Sequence, residues 1–189
     1  MKKLTMAAMA ILFCLSGAAS AQSARRSSSM SSTHHETFLV STELEFGMPV
    51  GNYADQNGVG GGVMLVGEYP LLDALSATAR IGFQYHANKA VSPTVDVHTH
   101  SIPILLGAKY YLTPDRQGLF GALEIGLFDL MTSASNGQSQ NDLKFGTGIG
   151  VGYAMKQWNA RINVHTQSVG DFADALMITA GVGYQFAGF

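Results

Sequence analysis

Cysteine is almost missing from this chain: of 189 residues only Cys14 carries a thiol, and it lies inside an apolar run at the start. That excludes a disulfide framework, a thiolate metal centre and, once the start is removed, a cysteine nucleophile. Charge is scarce as well, at 13% of residues, and the formal net charge of -2 has the wrong sign for a nucleic-acid binder. Proline occurs 5 times and tryptophan once. Past the first 21 residues no apolar run approaches the roughly 20 residues that a membrane-spanning helix needs. Glycine is the exception, with 22 copies.

The start predicts export. Lys2 and Lys3 precede "MAAMAILFCLSGA", and Ala19 and Ala21 form a small-x-small cleavage site. Phe13 before Cys14 does not fit a lipoprotein signal. Cutting after Ala21 leaves 168 of the 189 residues, enough for one domain, and losing two lysines moves the formal charge from -2 to -4. Residues 22–36, "QSARRSSSMSSTHHE", are serine-rich and aperiodic and are expected to form a flexible leader, with Arg25, Arg26, His34 and His35 solvated.

From residue 37 to 189 one pattern returns eight times in segments of about ten residues, apolar side chains alternating with others. "SATARIGFQY" sets Ala77, Ala79, Ile81, Phe83 and Tyr85 in phase; "LMITAGVGYQF" does so with Ile178, Ala180, Val182, Tyr184 and Phe186. A period of two is that of a strand, and this length suits a tilted strand crossing a membrane. The connections alternate between tight ("PLLDAL", "TPDRQG", "KQ") and longer polar ones ("NYADQN", "ANKAVSPTVDVHTH", "MTSASNGQSQND", "SVGDFADA"). Together these predict an all-β fold, an eight-stranded antiparallel up-and-down transmembrane barrel closed without edges.

The charges assign the faces. Glu43, Glu45, Glu68, Arg80, Lys109, Glu124, Lys144 and Arg161 fall opposite the more apolar phase, although Met64 and Val66 share the phase of Glu68. Arg or Lys on the lipid face near the midplane costs roughly 2–4 kcal/mol, so these residues are expected to pair inside the lumen. The same face carries Gly146, Gly148, Gly150 and Gly152. They lack the G-x-G-x-x-G and Gly-Lys-Ser/Thr spacing of phosphate loops, and are expected to leave room for long Glu and Arg side chains. Tyr69, Tyr110, Tyr111, Tyr153 and Trp158 gather near the tight connections as an interfacial aromatic belt.

"FGMPVGNYADQNGVGGGVMLVGEYPL", "SIPILLGAKYYL" and the closing "GVGYQF" resemble the small outer-membrane β-barrel proteins of Gram-negative bacteria, the eight-stranded group around the OmpA transmembrane domain, OmpX and OmpW. The resemblance implies outer-membrane lipid and lipopolysaccharide as surroundings and the barrel-assembly machinery as a partner. That machinery reads a terminal Phe preceded by alternating apolar residues. Here Phe189 is terminal while the in-phase set stops at Phe186, so either can serve as the assembly signal.

Three functions remain open: a structural or surface-interaction barrel with a charge-plugged lumen, a narrow conduit for ions or small hydrophobic solutes, and a secreted, soluble lipocalin-like binder with its faces inverted. Low charge content and an apolar outer phase oppose the last. A lipid A deacylase needs His-x-Ser; "RINVHTQS" offers Arg161 and His165, but Gln167 stands where the serine belongs and Ser168 is out of phase. His165 is instead expected to face inward, hydrogen-bonded to a carboxylate. His98 and His100, with Asp96, have a spacing that can hold zinc or copper, but lack a fourth ligand and read as a loop tip. No enzyme activity, cofactor, metal or nucleic acid is expected, and no extracellular partner is specified.

Overall fold

The computed structural model describes residues 37–92, 95–135, 137–171 and 175–189. The expected signal peptide (1–21) and leader (22–36) lie outside the described residues. Strands β1 (Leu39–Pro49), β2 (Gly60–Leu72), β3 (Leu75–His86), β5 (Val95–Tyr111), β6 (Gly118–Ala134), β7 (Ser139–Met155), β8 (Trp158–Thr166) and β9 (Leu176–Gly188) are the staves of a closed barrel. A short β4 (Lys89–Ser92) folds back on the start of β5. Every neighbouring pair is antiparallel, β1 pairs with β9, and β3 pairs with β5 to complete the ring. The eight alternating segments are thus the eight staves, and no sheet edge is left unpaired around the wall.

Burial alternates with the pleat. On β1, Glu43, Glu45 and Gly47 are buried while Leu44, Phe46 and Met48 are exposed. The same holds around the barrel: Leu106, Leu123, Ile149, Val151 and Ile162 point outward, whereas Glu124, Arg80 and Arg161 are inside. A water-soluble fold would bury the first set and expose the second. Apolar outside and charged inside is the arrangement that hydrocarbon favours.

One end of the barrel carries tight turns. β7 and β8 are joined by Lys156 and Gln157, with Lys156 in the left-handed region at φ 54. Between β5 and β6, Asp115 accepts the Gln117 N–H at 3.2 Å, and the Thr113 hydroxyl donates to the Gln117 carbonyl. The other end carries longer connections, one of which contains helix α1 (Tyr53–Gln56).

Two expected loops prove to be strand. β6 and β7 each run 17 residues, so "MTSASNGQSQND" shrinks to a connection over 135–138. His98 and His100 lie within β5, also 17 residues long, and not at a loop tip. These staves exceed the roughly 9–11 residues a bilayer requires. Beyond the apolar band both faces meet water, so polar side chains replace the alternation while the backbone ladder continues, as in Thr132 opposite Gln140.

Candidate functional site

The lumen gathers seven of the eight charged residues that the alternation assigned to it. Arg80, on β3, donates from Nη2 to Glu43 Oε2 and Glu45 Oε1 of β1, both at 2.6 Å, and from Nη1 to Glu124 Oε2 of β6 at 2.9 Å. Arg161, from β8, reaches Glu124 Oε1 at 2.7 Å and stands 3.9 Å from Glu43. Amides complete the layer. Gln84 donates to Glu45 at 3.0 Å and accepts from the Ser101 hydroxyl at 3.1 Å, while Asn163 Oδ1 accepts from Arg161. Toward the tight-turn end, Lys109 pairs with Glu68 at 2.8 Å and lies 4.4 Å from the Phe120 ring centroid. Charges so far from water hold only when paired and hydrogen-bonded, and nearly every one here is.

The cross-strand register shows why so many long side chains fit. Glu45 is flanked by Gly62 and Gly181, Arg161 by Gly152 and Gly181, and Glu124 by Gly107 and Gly148. Directly opposed residues approach to about 4.5–5.5 Å between Cβ atoms. Glycine beside these three residues therefore lets their chains lean across the strand, whereas Arg80, Lys109 and Glu68 are flanked by larger residues. A Cβ on Gly183 would come within 2.8 Å of Glu43 Cγ, and one on Gly181 within 3.2 Å of Glu45 Cγ. The β7 glycines divide differently from the expectation. Gly146 and Gly152 make way for the Phe128 and Phe120 rings, Gly148 for His165 and Gly150 for Asn163.

Other residues depart from expectation. Lys144 is apart from the cluster, more than a third exposed, with Asp171 at 3.7 Å. The lumen hence holds four acids (Glu43, Glu45, Glu68, Glu124) against three bases (Arg80, Lys109, Arg161). Met64 and Val66 do face inward beside Glu68, because apolar side chains also fill the barrel there. Tyr111 is not in the aromatic belt: it is buried and donates to Glu68 at 2.8 Å. Its neighbour Tyr110 points out, as adjacent strand residues must. Tyr110, Tyr153 and Trp158 are exposed, and the Trp158 and Tyr184 ring centroids are 4.8 Å apart. Tyr69 is half-buried on the same outer phase.

His165 points inward but stacks on Phe128 at 5.6 Å, and its Nε2 has no hydrogen-bond partner among the described residues, in place of the expected carboxylate. Ser168 donates to Asp171 at 3.3 Å, and Gln167 accepts from Tyr53. The chain end resolves through a bulge. Leu39 and Val40 pair with Gly188 and Ala187, but Ser41 pairs with Gln185, so Phe186 is the extra residue. The shift brings Phe189 opposite Phe38, whose backbone exchanges two 2.9 Å hydrogen bonds with it. Both Phe186 and Phe189 end up exposed on the outside.

A lid covers the long-loop end. Tyr53 of α1 is buried and donates from its hydroxyl to Gln167 Oε1 at 2.7 Å, while Val50 N bonds Leu176 O at 3.0 Å. Burial pushes the Tyr53 phenol well above its ordinary range, so it stays a neutral donor. Close to His86, whose ring centroid is 6.0 Å from that of Tyr53, a gap lined by Glu45, Gln84 and Met177 is too narrow for a water molecule. This lid had no signal in the hydrophobic period, since it rests on one aromatic in a polar loop.

Comparison with known proteins agrees with this geometry. The profile of the family described as outer membrane protein beta-barrel domain matches residues 7–186. Ail, the attachment invasion locus protein of Yersinia pestis, solved with the heparin analogue sucrose octasulfate, is 15% identical with a TM-score of 0.50, covering 79% of this chain and 98% of its own. Neisserial surface protein A is 18% identical with a TM-score of 0.50, covering 79% and 97%. At such identities the likeness is one of fold. Among curated protein sequences none matches this chain.

Proposed function

The chain belongs to the outer membrane β-barrel domain family, and from that premise we propose that it is a plugged barrel whose role is structural or surface-interactive, not conductive. Its place is the outer membrane of a Gram-negative bacterium. The observation that carries the reading is the position of Arg80, held by Glu43, Glu45 and Glu124 across the middle of the lumen. Removing a side chain from such a buried arrangement leaves an unpaired charge, which costs several kcal/mol, so the plug does not open by thermal fluctuation of one residue.

If the barrel is plugged, its contacts with other molecules fall to the long-loop end. Among the described side chains that end carries Asp55, Asp142 and Asp171 against Lys144. Ail was solved with a polyanion, but an acidic surface disfavours such a ligand here and suits a neutral or cationic partner. The plug is tested in a planar bilayer, with SDS resistance before heating as proof that the added protein is folded. Folded protein should give no discrete current steps. Reproducible steps of one size would make it a conduit.

A further inference from the structure

On the outer face near the long-loop end, β3, β5 and β6 assemble a cluster that the lumen reading does not use. His100 is opposed by Tyr85 on one side and Met131 on the other. His98 lies two residues away on the same face of β5. The His98 and His100 ring centroids are 5.1 Å apart at an interplanar angle of 71°. Phe83 and Tyr85 wall the His100 ring at 5.6 and 5.0 Å. Within this wall His100 Nδ1 is buried and has no hydrogen-bond partner among the described residues. A buried nitrogen left unspent calls for a reason.

We propose that His98, His100 and Met131 bind one copper ion, in its Cu(I) state, at the outer rim of the barrel. Two imidazoles ligating one ion at about 2.0–2.1 Å stand with ring centroids roughly 5 Å apart. The pair already has that separation, and the His98 ring is half-exposed. Directly opposed residues on one face lie about 4.5–5.5 Å apart at Cβ, so the flexible Met131 thioether reaches an ion held by His100. The donor set selects the metal. Among the described residues no third His, Cys, Asp or Glu joins the pair, which disfavours zinc and removes the oxygens that magnesium or calcium require. Imidazole with thioether is a soft set suited to Cu(I). A monovalent ion on neutral ligands is also the least costly charge to place beside aromatic walls and lipid.

The test uses untagged protein extracted in detergent from the outer membrane, after the expected loss of the signal peptide with Cys14, titrated anaerobically with Cu(I) against a chromogenic Cu(I) chelator. One equivalent should bind. His98→Asn and His100→Asn should each weaken binding at least tenfold, and Met131→Leu should weaken Cu(I) and remove the sulfur signature from the copper X-ray absorption spectrum. Each variant is first required to keep its SDS-resistant mobility, so that a folding defect is not scored. The His34→Asn/His35→Asn double variant should bind like the parent. Binding that survives loss of His98 and His100, or that disappears with His34 and His35, overturns the proposal. A Met131→Leu spectrum still showing sulfur overturns the ligand set, and zinc binding with higher affinity than Cu(I) overturns the choice of metal.

Discussion

Arg80 answers to three carboxylates at once, and its own Nε has no partner among the described residues, so its worth lies in the fork of its guanidinium. Replacing it by Met keeps the volume and strands Glu43, Glu45 and Glu124 together. Breaking a buried arrangement of this kind costs about 3–5 kcal/mol. Lys144 carries the same charge with a different consequence, since its contact with Asp171 is long and open to water. Its replacement by Ala should change stability by no more than about 0.5 kcal/mol. Urea unfolding in vesicles, followed by the fluorescence of Trp158, should separate the two variants clearly; equal midpoints would mean that the lumen pairs contribute nothing net. At this scale the facing of a residue was legible and its partner was not. Period two put Arg80 and Glu124 inside, and it also placed Tyr111 in phase with Lys109, a signal that its position beside Tyr110 obscured. Which acid meets which base depends on how far neighbouring strands are staggered, and a single strand's pattern does not encode that offset.

Strand existence was written in the alternation, because each stave has one face in lipid and one in the lumen. Strand length was not, because β5, β6 and β7 run past the bilayer into water, where both faces become polar and read as loop. The two ends of the barrel should therefore differ in reach. A short epitope inserted after Gly137, in the β6–β7 connection at φ 88, should be labelled by antibody on intact cells. The same epitope inserted after Asp115 should be labelled only once the outer membrane is opened. Labelling of the second site on intact cells would reverse the orientation. Helix α1 and β4 gave no advance notice in the periodicity: four residues of either are too few to show one.

The barrel is held by its ring of pairing more than by a conventional apolar core; among the described residues the contiguous buried apolar cluster is Tyr111, Phe120 and Ala154. Such a ring should survive SDS until heated. Membrane-extracted protein should migrate as a faster band unboiled and a slower one boiled, and a single unshifted band from the soluble fraction would turn the faces inside out. The ring also has a history in time. Its seam is β1 against β9, the first stave against the last, and the charge layer draws Glu43 from β1, Arg80 from β3, Glu124 from β6 and Arg161 from β8. Among the described residues the seam pairs join the two most distant stretches of the chain, Leu39 opposite Gly188, whereas the luminal pairs of Arg80 and Arg161 with Glu43 and Glu124 span only 37 to 44 residues where they are hydrogen-bonded. Until that last stave docks, the luminal face of an open sheet would lie against hydrocarbon, so crossing the bilayer and zipping the seam are expected to be a single kinetic event.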